Sequence, residues 1–386
     1  MTQTKASGPL EGILVVDLSR ILAGPYCTLL MAEMGARVIK VEPPKGGDDA
    51  RAYGPFVNGK STYFASVNRG KESIALDLKN DEHKKIFEKL LAKADVVVEN
   101  FRPGTMEKLG FGWETLHKKF PKLIYASASG FGHTGPNSKD PAYDMVMQGE
   151  GGIMSITGNE GQPPSRVGMS IGDIGAGLYT AVAVNAALVH RLKTGEATKI
   201  DIAMFDCQLA LLENAIMRYT VEKEIPGPLG ARHPTITPFE AFATSDGSII
   251  IAAGNDSLFV KMCEALGRPD MAADPDYKSN ALRQKSQKKL KAEIESVLKS
   301  NTTKHWIGVI QKGGVPCGPI NNIAQAIQHP QVAARNMLVS VPDGSGGTLT
   351  LAGNPLKMSA FDDPKTRKPA PDLDADRAAI LSYIGG

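Results

Sequence analysis

The chain has 386 residues, of which 42% are hydrophobic and 22% charged, and its formal net charge is +3. That composition belongs to a globular protein of two or three domain-sized units and excludes a disordered or collagen-like chain. The near balance of charge removes any demand for nucleic acid or an anionic membrane as a partner.

The stretch from Met1 to Gly12 is polar and lacks an apolar signal core, and no apolar run approaches 18 residues, so no leader and no membrane span are expected. Residues 13–19 (ILVVDLS) form a short apolar run suited to a buried strand. Gly24 and Pro25 punctuate it, 26–34 read as a helix ended by Gly35, and 36–42 (ARVIKVE) read as a second strand. Strand, short helix, strand is a βαβ unit with parallel strands. The rhythm continues with a helix over 81–93 and strands over 94–99 and 122–129. The prediction is an α/β fold, with an open, mainly parallel (Rossmann-like) sheet in a large domain. Ligands of such sheets sit at the carboxyl ends of strands. Here those ends lead into Ser19–Tyr26, Glu42–Gly54, Asn100–Lys108 and Gly130–Asp144.

Residues 174–193 are Ala-rich and apolar and predict a buried helix ended by Gly195, followed by a strand at 198–204 and a helix to about Val221. Pro226, Gly227, Pro228 and Gly230 mark a linker. Beyond it, runs at 239–244 and 248–253 flank Asp246-Gly247, a hairpin signal, and helices are expected over 256–266 and 284–299. The expected division is therefore a large domain over 1–225, a smaller α+β domain over 226–325, and a C-terminal segment, 326–386, that returns to the large domain and ends in a helix near 374–383.

Cys27, Cys207, Cys263 and Cys317 are scattered, so reduced thiols and a cytoplasmic location are expected, and none of the seven histidines stands at metal-ligand spacing. Residues 130–135 (GFGHTG) match the dinucleotide fingerprint, but Pro136, Asn137, Ser138 and Lys139 follow in place of a helix. Without a helix N-terminus the phosphate argument fails, and a plain glycine loop is the reading.

The segment 168–177 (GMSIGDIGAG) surrounds one carboxylate, Asp173, with glycines at the entrance to an apolar helix. Asp173 reads either as an N-cap or as a nucleophile, with nearby backbone N–H groups at Gly172 to Gly175 holding an oxyanion. Arg20, Arg51, Arg102, Lys79 and Lys108 lie on or near the strand-end loops. They read as solvated charges singly and as a phosphate-ligand site together. Tyr53, Phe56 and Tyr63 read as core packing or as an apolar wall.

Several longer segments resemble one family. They are 12–17 (GILVVD), 23–25 (AGP), 35–42 (GARVIKVE), 73–79 (SIALDLK), 95–104 (DVVVENFRPG) and 314–319 (GVPCGP). On these the chain resembles the class III CoA-transferases nearly end to end. The resemblance implies an interlocked homodimer and Asp173 as nucleophile. Coenzyme A or acyl-CoA is then a substrate, with no permanently bound cofactor. It implies CoA contacts at Ala23, at Leu76, Asp77, Leu78 and Lys79, at Asn100, Phe101 and Arg102, and at Lys108, with Tyr143, Asp144 and Met204 lining the site. Arg20, Leu22, Tyr53 and His233 fall on the substrate side. Formyl-transferring members have His and Gln where this chain has Arg20 and Leu22, and a glycine run where it has 229–234 (LGARHP). That segment, Pro238-Phe239 and Asp48-Asp49 are similar to the acetyl-CoA:oxalate type. The implied reaction moves CoA from acetyl-CoA or formyl-CoA to a dicarboxylate such as oxalate, through an aspartyl anhydride and an aspartyl-CoA thioester. Transfer from succinyl-CoA to another dicarboxylate is the alternative. Racemisation of an acyl-CoA is a further one, but the racemase histidine aligns with Tyr143, and a phenol with a pKa of about 10 is a poor base near neutral pH. A CoA-binding protein without turnover is the reading from another class.

Overall fold

Strands buried on both faces of a parallel sheet read as unbroken apolar runs, which is why the Val- and Ile-rich segments become strands. The computed structural model describes residues 8–385; most of the polar N-terminal stretch, residues 1–7, lies outside them. The first elements are β1 (Leu14–Asp17), α1 (Ala23–Glu33), β2 (Arg37–Glu42), a two-residue-per-strand hairpin β3 (Phe56–Val57) and β4 (Lys60–Ser61), α2 (Thr62–Asn68), β5 (Glu72–Ala75) and α3 (Asp81–Leu91). They are followed by β6 (Val96–Glu99), α4 (Thr105–Leu109), α5 (Trp113–Lys119), β7 (Ile124–Ser129), α6 (Asp144–Glu150), α7 (Ile171–Thr194), β8 (Lys199–Ala203), α8 (Met204–Leu211) and α9 (Glu213–Met217).

The main sheet has the order β5-β2-β1-β6-β7-β8, and every neighbouring pair is parallel. The chain winds outward from β1 in one direction and from β6 in the other, so the topological switch point lies between β1 and β6. Side-chain alternation along each strand divides the core in two. Val15, Val38, Val96, Val98 and Ile124 pack with α1 and α7 on one face. Leu14, Val16, Ile39, Ile74 and Val97 pack with α3 on the other.

Two differences from the sequence reading matter for the site. First, α7 starts at Ile171 with Ser170 as its N-cap, so Asp173 is a first-turn residue and not the cap. Second, α7 spans 24 residues and is apolar enough to cross a membrane by length and composition, which corrects the expectation that no such run exists. In the fold Ala181, Val184, Ala187 and Leu188 belong to the core with α1, while Val182, Val189 and Leu192 face outward. The two helices cross so closely that a Cβ on Gly177 would stand 2.7 Å from the Ala23 carbonyl oxygen, a contact only glycine permits.

The described residues form two compact units, one of 8–154, 166–224 and 330–385 and the other of 155–165 and 225–329. The second stretch of the small unit begins at 225, and the unit also takes in 155–165 and 326–329, which the sequence analysis places in the large domain and in the returning segment. The first insertion is held inside the small unit by backbone pairing, with the Gly230 N–H donating to the Gly158 carbonyl at 2.8 Å. The small unit carries the predicted hairpin as β9 (Phe239–Ala243) and β10 (Ser248–Ala252), joined by β11 (Cys317–Pro319) in an antiparallel sheet. Its helices include α10 (Asp256–Ala265), and a fully buried Arg283 donates to the Thr237 and Tyr277 carbonyls and to Asp256. The returning segment adds a hairpin at Leu338–Pro342 and Thr348–Ala352 and a last helix at Arg377–Ile384, whose Ile380 and Ile384 enter the core beside α3. Among the described residues no strand lies outside edge strand β5. Its Ser73 and Ala75 N–H groups donate instead to the carboxylates of Asp376 and Asp374, at 2.8 and 2.7 Å.

Candidate active site

The carboxyl ends of β1 and β6 meet at the switch point, and the two turns that leave them are tied together. Asn100, directly after β6, accepts the Arg20 N–H and donates to the Arg20 carbonyl, both at 2.8 Å. The chain then passes through Ile21 at φ +67°, a left-handed conformation that is rare for a β-branched residue. The Ile21 N–H donates to Asp48 Oδ1 at 3.0 Å, and Lys40 Nζ donates to the Ser19 carbonyl at 2.6 Å. Leu22 then opens α1 without a side-chain cap; Pro25 has no N–H and the Tyr26 N–H donates to the Leu22 carbonyl, so Ala23 and Gly24 carry the N–H groups of the first turn that a ligand could take.

Beneath this turn lies a fully buried group of charges. Lys40 pairs with Asp48 at 2.9 Å and Lys71 with Asp17 at 3.0 Å, and none of the four side chains reaches solvent. Asp17 also accepts from the Ser19 N–H at 2.9 Å, from the Ser19 hydroxyl, and from Thr28 Oγ1 at 2.6 Å. Burial alone would raise the Asp17 carboxyl, but Lys71 and Lys40 hold it well below the usual carboxylate range. Burial outweighs Asp17 at Lys71 and brings that ammonium down to about 8. Glu42 at the end of β2 takes a two-point hydrogen bond from Arg51 at 2.7 and 2.6 Å.

Asp173 sits one helical turn before Gly177, on the same side of α7 as the contact with Ala23 at the start of α1. Among the described residues no donor bonds its carboxylate. Burial, and after it the Asp144 carboxylate, raise its pKa to about 7. Tyr63 lies close by: burial and then the Asp173 charge raise the phenol to about 12, and its ring meets Tyr53 edge-on at 5.9 Å. Two of the N–H groups expected to serve as oxyanion donors, those of Gly172 and Ile174, are engaged. Gly172 donates to Asp144 Oδ1 at 2.8 Å, and Ile174 donates to the Ser170 carbonyl at 3.0 Å. Asp144, first residue of α6, is fixed in turn by Gln148 Nε2 at 2.8 Å. A Cβ at 172 would lie 2.8 Å from Gln208 Nε2 and 3.3 Å from Met204 Cε, so a larger residue there would make the Gln208 side chain shift. Gln208 is wholly buried, and among the described residues neither of its amide atoms has a hydrogen-bond partner.

The remaining expected site residues divide by environment. Leu76 and Leu78 point into the core, and Phe101 packs against it, so these three offer backbone and not side chains to a ligand. Asp77, Lys79, Arg102 and Lys108 are exposed just beyond β5 and β6. Glu99 accepts the Phe101 N–H at 2.7 Å and the Tyr125 hydroxyl at 3.1 Å, which fixes the turn carrying Asn100; burial raises its pKa to about 7. Arg20 faces Asp49 at 3.4 Å, with both side chains part-exposed. Tyr143 is 71% exposed and Met204 buried. His233 lies in the small unit, where its Nδ1 accepts the Thr235 and Ile236 N–H groups at 3.2 and 3.1 Å. The 130–135 glycine loop leads to no helix before Asp144.

Residues 10–377 match the family model described as CoA-transferase family III. The chain is 46% identical over 380 residues to acetyl-CoA:oxalate CoA-transferase of Acetobacter aceti, covering 98% of this chain and 96% of that one. It is 41% identical over 390 residues to succinyl-CoA:mesaconate CoA-transferase of Haloarcula hispanica, covering 98% and 97%. The crystal structure of a CAIB/BAIF family protein from Brucella suis superposes with a TM-score of 0.85 at 39% identity, covering 98% of this chain and 100% of that one. With fold and sequence agreeing over almost the whole length, the chain belongs to CoA-transferase family III.

Proposed function

We propose that the protein transfers coenzyme A from acetyl-CoA to oxalate through covalent intermediates on Asp173. The observation that carries this reading is Asp173 itself, a half-buried carboxyl without a hydrogen-bond donor among the described residues, in the first turn of α7, with its pKa at about 7. A desolvated carboxylate of that basicity is a competent nucleophile once ionised.

The Asp173 carboxylate attacks the thioester carbonyl; the C–S bond breaks, giving an aspartyl–acyl anhydride and free CoA thiolate. The thiolate attacks the aspartyl carbonyl of the anhydride, which releases the donor acid as its carboxylate and leaves an aspartyl-CoA thioester. The acceptor carboxylate attacks that thioester to form a second anhydride and thiolate. The thiolate then attacks the acceptor's carbonyl, giving the new acyl-CoA and restoring Asp173. Carboxylates and thiolate exchange places throughout, so no step calls for a general base. Because the Gly172 and Ile174 N–H groups are engaged, the open N–H groups at the start of α1 are the better oxyanion donors. Arg20, part-exposed beside Asp49, is the cation assigned to the acceptor's second carboxylate.

A panel of acetyl-, formyl- and succinyl-CoA against oxalate, mesaconate and glutarate tests this reading. The highest kcat/KM is expected for acetyl-CoA with oxalate. A tenfold preference for succinyl-CoA with a longer diacid would replace the acid pair and keep the chemistry. No exchange with any pair, or deuterium wash-in at the α-carbon of a branched acyl-CoA without exchange, would overturn it. The pH profile is a second expected result. Attack needs the ionised form, so kcat/KM should rise through an acid limb near pH 7. Asp144→Asn should move that limb down, while burial keeps it above the ordinary carboxylate range. A rate independent of pH between 5 and 8 would exclude Asp173 as the titrating nucleophile.

A further inference from the structure

The turn between β1 and α1 is held from three directions. Lys40 on β2 takes the Ser19 carbonyl, Asn100 after β6 takes both polar backbone groups of Arg20, and Asp48 takes the Ile21 N–H. Asp48 is itself fixed. Its Oδ1 also accepts the Ala50 N–H at 3.0 Å, its Oδ2 faces Lys40 Nζ at 2.9 Å, and its own N–H donates to Glu42 Oε2 at 3.0 Å. Against this stands a cost. Ile21 occupies the left-handed region at φ +67°, where its branched side chain crowds the backbone. A conformation of that kind persists only where its surroundings over-determine it. An asparagine, an aspartate or a glycine would have adopted it more readily, so the isoleucine is held there by its neighbours and not by its own preference.

The next residues are Leu22, the uncapped start of α1, and Ala23, whose carbonyl lies against Gly177 one turn from Asp173. The direction in which α1 presents its first N–H groups therefore depends on the path of the chain through Ile21. We propose that Asp48, buttressed by Lys40, is a positioning residue that holds Ile21 in its left-handed conformation and so aims the first turn of α1 at the Asp173 carboxylate. Asp48 touches neither substrate nor reacting atoms; it acts through the turn. This inference rests on the reading of Asp173 as the nucleophile of CoA transfer.

The test is a double-mutant cycle between Asp48→Ala and Ile21→Gly, read by steady-state exchange and by thermal unfolding. Asp48→Ala should lower kcat on the order of 100-fold, the scale of a misplaced catalytic group, with KM for acyl-CoA changed less than threefold. Adding Ile21→Gly to Asp48→Ala should recover at least tenfold of that loss, because glycine enters the left-handed region without being held there. A mere loss of packing at Asp48 has no reason to be repaired by removing a side chain at position 21. Thermal unfolding gives an answer that does not depend on the reaction. Ile21→Gly should raise Tm in the wild-type background, where strain is stored, and not in Asp48→Ala, where the turn has already relaxed. An unchanged kcat in Asp48→Ala, or no recovery in the double variant, overturns the proposal. So does an equal Tm gain in both backgrounds, whatever the exchange assay reads. Failure of the transferase reading shows separately, as a wild-type enzyme without exchange or an Asp173→Ala variant that retains it.

Discussion

Asp173→Ala is expected to lower CoA exchange by on the order of 10⁴-fold or more, the scale of removing a nucleophile, while the protein stays folded. The reason is local. Asp173 is the carboxylate that lies free in the first turn of α7, whereas Asp144 beside it is committed to the Gly172 N–H and to Gln148. Hydroxylamine added during turnover should trap the wild-type thioester as a hydroxamate on the peptide containing Asp173 and yield nothing in the variant. A hydroxamate on another peptide would move the nucleophile elsewhere. The same residue carries a stability cost. Its folded-state pKa of about 7 lies above the unfolded value near 3.9, so the stability it contributes is present below pH 4 and lost as pH rises through about 7. Asp173→Asn should therefore unfold at a higher temperature than wild type at pH 8 and at the same temperature at pH 3.5. The group proposed as nucleophile is one the fold would be more stable without above pH 7.

The second large effect is expected beneath the site. Asp17→Ala should cost about 3–5 kcal/mol of stability, read from the urea midpoint, because it leaves Lys71 and Lys40 buried with one anion fewer. Lys71→Met should cost a similar amount by stranding Asp17. Replacing both, as Asp17→Leu with Lys71→Met, should cost well under the sum, since no charge of that pair is then left unpaired. Additivity within about 0.5 kcal/mol would show that the two charges are not coupled.

How much of this was legible in the sequence follows from the range of the interactions. Buried parallel strands announce themselves as apolar runs, so β1, β2, β6 and β7 could be read directly, but their order in the sheet could not. β5 could not, because four residues beginning with Glu72 and Ser73 carry no such run, and its outer edge is completed by Asp374 and Asp376. The glycines around Asp173 drew attention to that carboxylate. They did not reveal that Asp144, Gln208 and Met204 crowd against Gly172, nor that its N–H is already spent. Asp17, Lys40 and Glu42 read as ordinary members of strands, since the partners that make their burial tolerable lie elsewhere in the chain, as Lys71 lies 54 residues from Asp17. The clamp on Ile21 depends on Asp48 and Asn100, which are neighbours of that turn in space alone. For the same reason residues 155–165 could not be assigned to the small unit from composition.

The carboxylates that finish the edge of β5 also set an order of events at the ribosome. Ser73 leaves the exit tunnel 303 residues before Asp376, and Ala75 leaves 299 residues before Asp374. At 5–20 residues per second that interval is roughly 15 s to a minute. Throughout it the nascent sheet presents two unfilled N–H donors on an exposed edge, the feature by which strands recruit foreign chains. The small unit, completed by residue 329, can close during that wait, whereas the unit that carries Asp173 is finished last. Closure of the β5 edge therefore waits on the C-terminal segment, long after the rest of the main sheet has been synthesised.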